Sequence, residues 1–276
     1  MTNYADFHRR SIEDRDGFWS EQAKLVDWQT PPQKVCDYSN PPFAKWFVGG
    51  TTNLCHNAVD RHLKDRADQA ALIFVSTETN QEKIYTFREL HTEVQRMAAV
   101  LKELGVQKGD RVLIYMPMIP EAAFAMLACT RLGAIHSVVF GGFASGALAS
   151  RIEDSAPRVI VSADGGLRGG KAVEYKPLLD EAIRLSAHKP EAVLLVDPWL
   201  TGNPMFPAGR EDDAVTGATH ILLTHAHGDH ASDAARLASS SKSTPWPTNG
   251  SPALTMALLG KRYLRPFSAE MTPDQL

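Results

Sequence analysis

Short apolar segments alternate with longer amphipathic segments between residues 71 and 196, and this alternation constrains the fold more than any other feature of the chain. Apolar runs bounded by turn residues are typical of buried strands. Strands are predicted at Ala71–Val75, Arg111–Met116, Ile135–Phe140, Arg158–Ser162 and Ala192–Val196. Strands that alternate with helices favour a parallel sheet. We therefore predict an α/β fold with a partial, mostly parallel sheet and helices on both of its faces.

The helices between these strands have recognisable ends. Thr86-Phe87-Arg88-Glu89 has the pattern of a capping box, in which the Thr hydroxyl and the Glu carboxylate each accept from an otherwise free amide. Apolar residues then recur at helical spacing until Gly105, which is typical of a helix end. Further helices are predicted at 120–132, 144–154 and 171–187, the last one with a bend at Pro177.

The remaining segments are less regular. Residues 1–60 carry many aromatic side chains and two Pro-Pro pairs, which predict an irregular segment that wraps over a core, with a short helix near 11–24 and a second helix capped by Thr52. We assign 61–196 to the main sheet. After Asp197 one strand is predicted at His220–Thr224, and a helix at Ala253–Tyr263, while 240–276 match no known pattern.

Composition excludes several classes of function. The net charge of −3 argues against a general nucleic-acid binder, since phosphate contacts need clustered cations. No apolar run is long enough to span a membrane, and the polar N-terminus lacks the apolar region of a secretory signal. Cys36, Cys55 and Cys129 lack metal-ligand spacing, so we interpret them as buried or free thiols. These features predict a cytoplasmic protein that binds no nucleic acid and spans no membrane; they leave its oligomeric state open.

Residues 4–197 contain several stretches that resemble the N-terminal part of AMP-forming short-chain acyl-CoA synthetases, the propionate–CoA ligases most and the acetate–CoA ligases next. The stretches that carry the resemblance are Pro41–Phe47, Gly49–Arg61, Gly109–Val112 with Tyr115–Met118, Gly133–Phe143 and Arg168–Lys171. The resemblance implies the adenylate-forming fold. It also implies ATP-dependent formation of an acyl-CoA from a short-chain carboxylate, through an acyl-adenylate, with Mg²⁺ and coenzyme A.

In that family the turn that matches Arg168, Gly169, Gly170 and Lys171 contacts the phosphates of coenzyme A. Glycines let the backbone approach a phosphate closely, and we expect this turn at a helix N-terminus, where amides and the dipole favour an anion. Gly141-Gly142-Phe143 follows a strand and lines a pocket or forms a strand-to-helix turn. Gly49-Gly50-Thr51-Thr52 lacks the Lys of a phosphate loop, so we favour a structural turn there.

The sequence departs from the family after Asp197. We find no Ser/Thr/Gly-rich loop ending in Pro-Lys-Gly, which binds ATP in the family, and no later motif for adenine or ribose. The C-terminal domain of the family is also missing from this sequence. Adenylation depends on stabilising the charge of transferring phosphates. We therefore expect no ligase turnover from these 276 residues.

A second resemblance covers residues 192–239, which are similar to metal-dependent hydrolases of the metallo-β-lactamase fold. It is carried by Val196–Pro204 and by the signature His225-x-His227-x-Asp229-His230. The resemblance implies that His225 and His227 hold one metal and that Asp229 and His230 hold a second, with zinc as the expected ion. The set is incomplete because no histidine follows His230.

Three interpretations follow from these resemblances. The first is a truncated and inactive acyl-CoA ligase that still binds coenzyme A. The second is a metal-dependent hydrolase that uses His225, His227, Asp229 and His230. The third is a non-catalytic chimeric chain, in which a synthetase fragment is joined to a short incomplete αβ segment of the hydrolase fold at 197–239.

Overall fold

The structure is a computed structural model that describes residues 3–200, 203, 209, 218–222 and 233, together with the backbone of 223 and 255–258. The chain divides into two compact units, Met1–Gln69 and Ala70–Leu276. Each is described by itself. Within the described part of the chain, no helix combines the length and the apolar character needed to cross a membrane.

The first unit contains two helices, one strand hairpin and two further short helices. Its elements are α1 (Tyr4–Glu13), α2 (Arg15–Gln22), β1 (Lys34–Asn40), β2 (Phe43–Val48), α3 (Leu54–Ala58) and α4 (Leu63–Arg66). Short 3₁₀ turns follow α2 and α3. The β1–β2 pair is antiparallel. The prediction of an irregular wrapping segment was therefore wrong for 34–48, because this mostly exposed hairpin lacks the alternation of apolar and polar residues that marks a half-buried strand.

Three sequence interpretations have clear outcomes, of which the first two lie wholly within this unit. The helix attributed to Thr52 is capped instead by Asn53, whose side chain accepts from the amide of His56. Gly50 lies in a structural turn, as expected: a Cβ there would be 2.8 Å from the Trp28 ring. All three cysteines are free and buried, in agreement with their interpretation as thiols.

The second unit begins with an antiparallel hairpin and continues as alternating helices and strands. Its elements before the site are β3 (Ala70–Ser76), β4 (Gln81–Thr86), α5 (Phe87–Glu103), β5 (Arg111–Tyr115), α6 (Pro120–Leu132), β6 (Ile135–Val138), α7 (Ser145–Ser155) and β7 (Val159–Ser162). The elements that follow are β8 (Gly165–Arg168), β9 (Lys171–Glu174), α8 (Tyr175–Leu185), β10 (Ala192–Val196), β11 (His220–Leu223) and β12 (Thr255–Leu258).

Six of these strands form one parallel sheet in the order β12-β11-β10-β7-β5-β6. The middle strands are buried on both faces: Leu113 packs in one apolar cluster with residues of α7 and α8, and its neighbours Val112 and Ile114 are also fully buried. Because successive side chains of a strand alternate between faces, helices or loops cover both faces of the sheet. This confirms the predicted α/β architecture with a parallel sheet.

The sheet continues beyond Asp197. β11 lies beside β10 with Leu194 opposite His220, so the strand predicted at His220–Thr224 is confirmed and belongs to the main sheet. The helix predicted at Ala253–Tyr263 was wrong, because Thr255–Leu258 is a strand that pairs in parallel with β11. A short apolar run has no periodicity that distinguishes a buried strand from a helix.

The predicted helix at 171–187 was also partly wrong. Its first four residues form β9, and α8 begins at Tyr175. Pro177 therefore lies in the first turn of α8, where its missing N–H leaves no hydrogen bond unmade and causes no bend in the helix interior.

The capping box of α5 is confirmed: the Glu89 amide donates to Thr86 Oγ1, and the Thr86 amide donates to Glu89. We expect Thr86→Ala to lower the free energy of unfolding by about 1 kcal/mol, since one helix-end amide loses its partner. Thr92→Ala is the matched control. The Thr92 hydroxyl bonds only a carbonyl within the same helix, so that change should be neutral or slightly stabilising. Urea unfolding of both variants measures the difference, and equal losses would contradict the cap's role.

Candidate functional site

The segment that carries the predicted coenzyme A residues is a hairpin turn. Arg168 ends β8, Lys171 begins β9, and Gly169-Gly170 forms the two-residue loop between them. Both glycines have positive φ, +57° and +70°, as the favoured two-residue hairpin turn requires. The expected helix N-terminus at this turn was wrong, since α8 begins only at Tyr175. Any anion site here depends on turn amides and not on a helix dipole.

The β8–β9 hairpin extends from the main sheet, and its two ends lie close together. Asp164 follows the end of β7, and the amide of Lys176 at the start of α8 donates back to the Asp164 carbonyl oxygen, 3.1 Å away. Both ends of the hairpin therefore meet at the carboxyl end of a central strand. Parallel α/β sheets place their ligands at this edge.

The amides of Gly169 and Gly170 both donate to the carboxylate of Glu78. Glu78, in the turn between β3 and β4, accepts from the Gly169 amide through Oε1 at 2.7 Å and from the Gly170 amide through Oε2 at 2.9 Å. Successive backbone amides that point to one side form an anion-binding concavity. The carboxylate shows that these two donors are spaced to bind two oxygens of one acidic group.

Two cations flank the loop. The Arg168 guanidinium lies over the Phe140 ring, 4.8 Å from its centroid, and Lys171 is exposed at the start of β9. The aromatic contact holds the Arg168 side chain against the loop that follows β6. The turn therefore combines two amide donors with two positive charges, which suits a phosphate more than a neutral ligand.

The glycines that follow β6 serve close packing. A Cβ at Gly141 would lie 2.0 Å from the Tyr175 hydroxyl oxygen, and a Cβ at Gly142 would lie 2.2 Å from Arg168 Nη1. Side chains from the β8–β9 hairpin and α8 thus occupy the space above both residues. Of the two interpretations offered for Gly141-Gly142-Phe143, this favours the structural turn.

A pair of carboxylates lies at the same edge of the sheet. Asp164 follows β7 and Asp197 follows β10, the latter with a positive φ of 45° and an amide that donates to the Leu222 carbonyl. Burial raises the pKa of the Asp164 carboxyl to about 7, although main-chain hydrogen bonds with Gly165 and Trp199 oppose the shift; the charge of Asp197 adds to it.

The loop after β10 has a further acidic anchor. Asp233 is buried, and its Oδ2 accepts from the amide of Leu200 at 2.9 Å. The residues predicted as metal ligands, His225, His227, Asp229 and His230, lie outside the described residues. Among the residues that are described, no group of three or more His, Cys, Asp or Glu side chains is placed to hold a metal ion.

Two residues of this site were not singled out from the sequence. Glu78 lies 91 residues before Gly169, and no local pattern relates the two positions. Asp164 follows a predicted strand directly, and carboxylates at strand ends are a detectable signal in parallel sheets. Only the second could have been found from the sequence.

Comparison with known proteins identifies relatives for most of the chain. A family model described as acetyl-coenzyme A synthetase N-terminus matches residues 4–58, and a model described as AMP-binding enzyme matches residues 59–254. The propionate–CoA ligase of Escherichia coli (strain K12) is 58% identical over 198 residues, which are 72% of this chain and 32% of that protein. An acetyl-coenzyme A synthetase of Methylobacterium radiotolerans is 49% identical over 212 residues, 75% of this chain and 33% of that protein.

A solved structure agrees with these relatives. The acetoacetyl-CoA synthetase from Streptomyces lividans superposes with a TM-score of 0.65 at 32% identity, over 72% of this chain and 30% of that one. The chain thus spans about a third of the length of the relatives it matches. The AMP-binding match also includes residues 197–239, so the comparisons give no support to a metallo-β-lactamase fragment or to a chimeric chain.

We expect Gly141→Ala to destabilise the protein by about 1–3 kcal/mol, because Tyr175 is buried and cannot move aside for the new methyl group. Gly146→Ala is the matched control, since a Cβ at Gly146 meets nothing within 4 Å and alanine favours the helix. That variant should be as stable as the wild type or more stable. Thermal unfolding of the two variants compares them, and equal stability would contradict the close approach.

The raised pKa of Asp164 predicts a pH dependence of stability. The folded state binds this proton more tightly than the unfolded state, so the free energy of unfolding falls as pH rises from about 4 to about 7 and then levels off. Asp164→Asn keeps a neutral polar side chain and should flatten this dependence. Urea unfolding between pH 4 and 8 measures it, with Asp154→Asn on the exposed face of α7 as the control. Identical slopes in the wild type and Asp164→Asn would refute the assignment.

Proposed function

The chain belongs to the AMP-binding enzyme family, and we propose that it is the N-terminal part of a short-chain acyl-CoA synthetase whose Arg168–Lys171 turn binds phosphates of coenzyme A. Relatives in this comparison are named as propionate–CoA ligase and acetyl-coenzyme A synthetase. The proposed reaction joins a short-chain carboxylate to coenzyme A with ATP, through an acyl-adenylate. The sequence leaves the choice between propionyl and acetyl groups open.

One observation carries the proposed role of the turn. The amides of Gly169 and Gly170 donate to the two oxygens of a single carboxylate, and Arg168 and Lys171 flank them. A phosphate offers oxygens at a similar spacing and carries more negative charge than a carboxylate. The same donors and cations therefore suit one phosphate group of coenzyme A.

The position of the turn supports the same role. It extends from the carboxyl end of β7, and the Gly141–Gly142 loop, Tyr175 and Arg168 pack closely beside it. This packing holds the Arg168 side chain near the loop before any ligand arrives. A side chain that is already positioned loses less conformational entropy when it binds an anion.

The other functional predictions rest on the sequence alone. Absence of ligase turnover from these 276 residues stays a prediction, to be checked by an assay for acyl-CoA formation. Zinc binding by His225, His227, Asp229 and His230 also stays a prediction.

We expect Arg168→Ala and Lys171→Ala each to weaken coenzyme A binding by about tenfold, which corresponds to about 1.4 kcal/mol for one charge-assisted contact. Lys102→Ala removes an equal charge from an exposed position at the end of α5 and serves as the control. Isothermal titration with coenzyme A measures all three. An unchanged dissociation constant in both turn variants, or an equal loss in Lys102→Ala, would exclude this turn as the phosphate site.

A further inference from the structure

We propose that Glu78 regulates the anion site by competition: its carboxylate occupies the Gly169 and Gly170 amides in the ligand-free protein, and an incoming phosphate must displace it. The identity of that phosphate as part of coenzyme A rests on the proposed function. The competition itself rests only on the two hydrogen bonds and on the charges around them.

The geometry is that of a bound ligand. Each carboxylate oxygen of Glu78 accepts one amide hydrogen, at 2.7 Å and 2.9 Å, so both donors of the loop are used at once. In a two-residue hairpin loop these amides have no partner in the strand ladder. An external anion that binds the loop amides needs the same two hydrogens, so it and Glu78 exclude each other.

The contact between Glu78 and the loop amides is exposed to solvent, so it can break and re-form. Glu78 lies in an exposed four-residue turn between β3 and β4, and Gly169 and Gly170 are exposed as well. Hydrogen bonds at an exposed site contribute modestly to the stability of the contact, because water competes for both the donor and the acceptor. The β3–β4 hairpin keeps the Glu78 carboxylate close to the loop amides. Its effective concentration there is therefore high, and it occupies the amides even though the contact is weak.

The charge of each anion determines whether a phosphate can displace the Glu78 carboxylate. The Glu78 carboxylate carries one negative charge, and a phosphate monoester carries between one and two near neutral pH. Arg168 stacks on Phe140 beside the loop, and Lys171 is exposed, so both cations add attraction for the more highly charged group. A phosphate ligand can therefore displace Glu78, whereas a singly charged carboxylate ligand gains little over it.

A purely structural role for Glu78 predicts a different outcome. If the carboxylate only held the hairpin in shape, its removal would leave phosphate affinity unchanged or lower it. If it competes, its removal raises that affinity. The sign of the change separates the two roles.

The test follows the amide NMR signals of Gly169 and Gly170 during titration with inorganic phosphate, in the wild type and in Glu78→Gln. Removing a competitor worth about 0.5–1.5 kcal/mol should lower the dissociation constant for phosphate about two- to twelvefold. Glu82→Gln is the matched control, because Glu82 is an exposed residue of β4 in the same hairpin. It should behave as the wild type does. An equal or weaker affinity in Glu78→Gln, or the same gain in Glu82→Gln, overturns the proposal.

A second titration with coenzyme A separates this proposal from the proposed function. Tighter phosphate binding in Glu78→Gln, without coenzyme A binding in either protein, supports the competition and overturns the role in coenzyme A binding. Equal coenzyme A affinity in the two proteins supports that role and overturns the competition. If neither phosphate nor coenzyme A perturbs the two glycine signals in any variant, both proposals are wrong.

Discussion

The central strands of the parallel sheet are buried on both faces, and this burial determines where helices, loops and polar groups can lie. All five residues of β10 and all four of β7 are buried. Strands of this kind need a cover on each side, which the alternating helices provide. Polar groups are then confined to the strand ends. Ser162, Asp164, Asp197 and the β8–β9 hairpin all lie at the carboxyl ends of these strands, so the core also decides where a ligand site can form.

The same constraint explains which elements could be predicted from the sequence. Apolar runs such as Val112–Tyr115 and Val159–Val161 identify buried strands directly, and Thr86 and Gly133 mark helix ends through local chemistry. The hairpin strands β4 and β8 were missed, because only one residue of β4 and none of β8 is buried, and neither strand shows a clear periodicity. Helical periodicity within α8 hid the boundary with β9. Thr255–Leu258 was misassigned because a pairing partner, and not local preference, determines a short strand.

The residues of the candidate site could be predicted from the sequence, but the groups that would bind an anion there could not. The resemblance identified Arg168–Lys171, and the structure gives these residues two amide donors and two cations. The expected dipole of a helix N-terminus is replaced by a glycine loop in which both residues have positive φ. The contact from Glu78 could not be foreseen, since it depends on two hairpins meeting across 91 residues of chain.

Turn amides and helix amides also differ in how an anion site can be controlled. A helix N-terminus binds through a dipole that persists whatever occupies it. A two-residue loop offers only its amides, so one carboxylate that accepts both hydrogens fills the site completely. A site of this kind is sensitive to a single acidic residue nearby, and the turn between β3 and β4 supplies that residue at an exposed position. Because this anion site is a hairpin loop and not a helix end, a carboxylate of the same chain can control anion binding by occupying both amides.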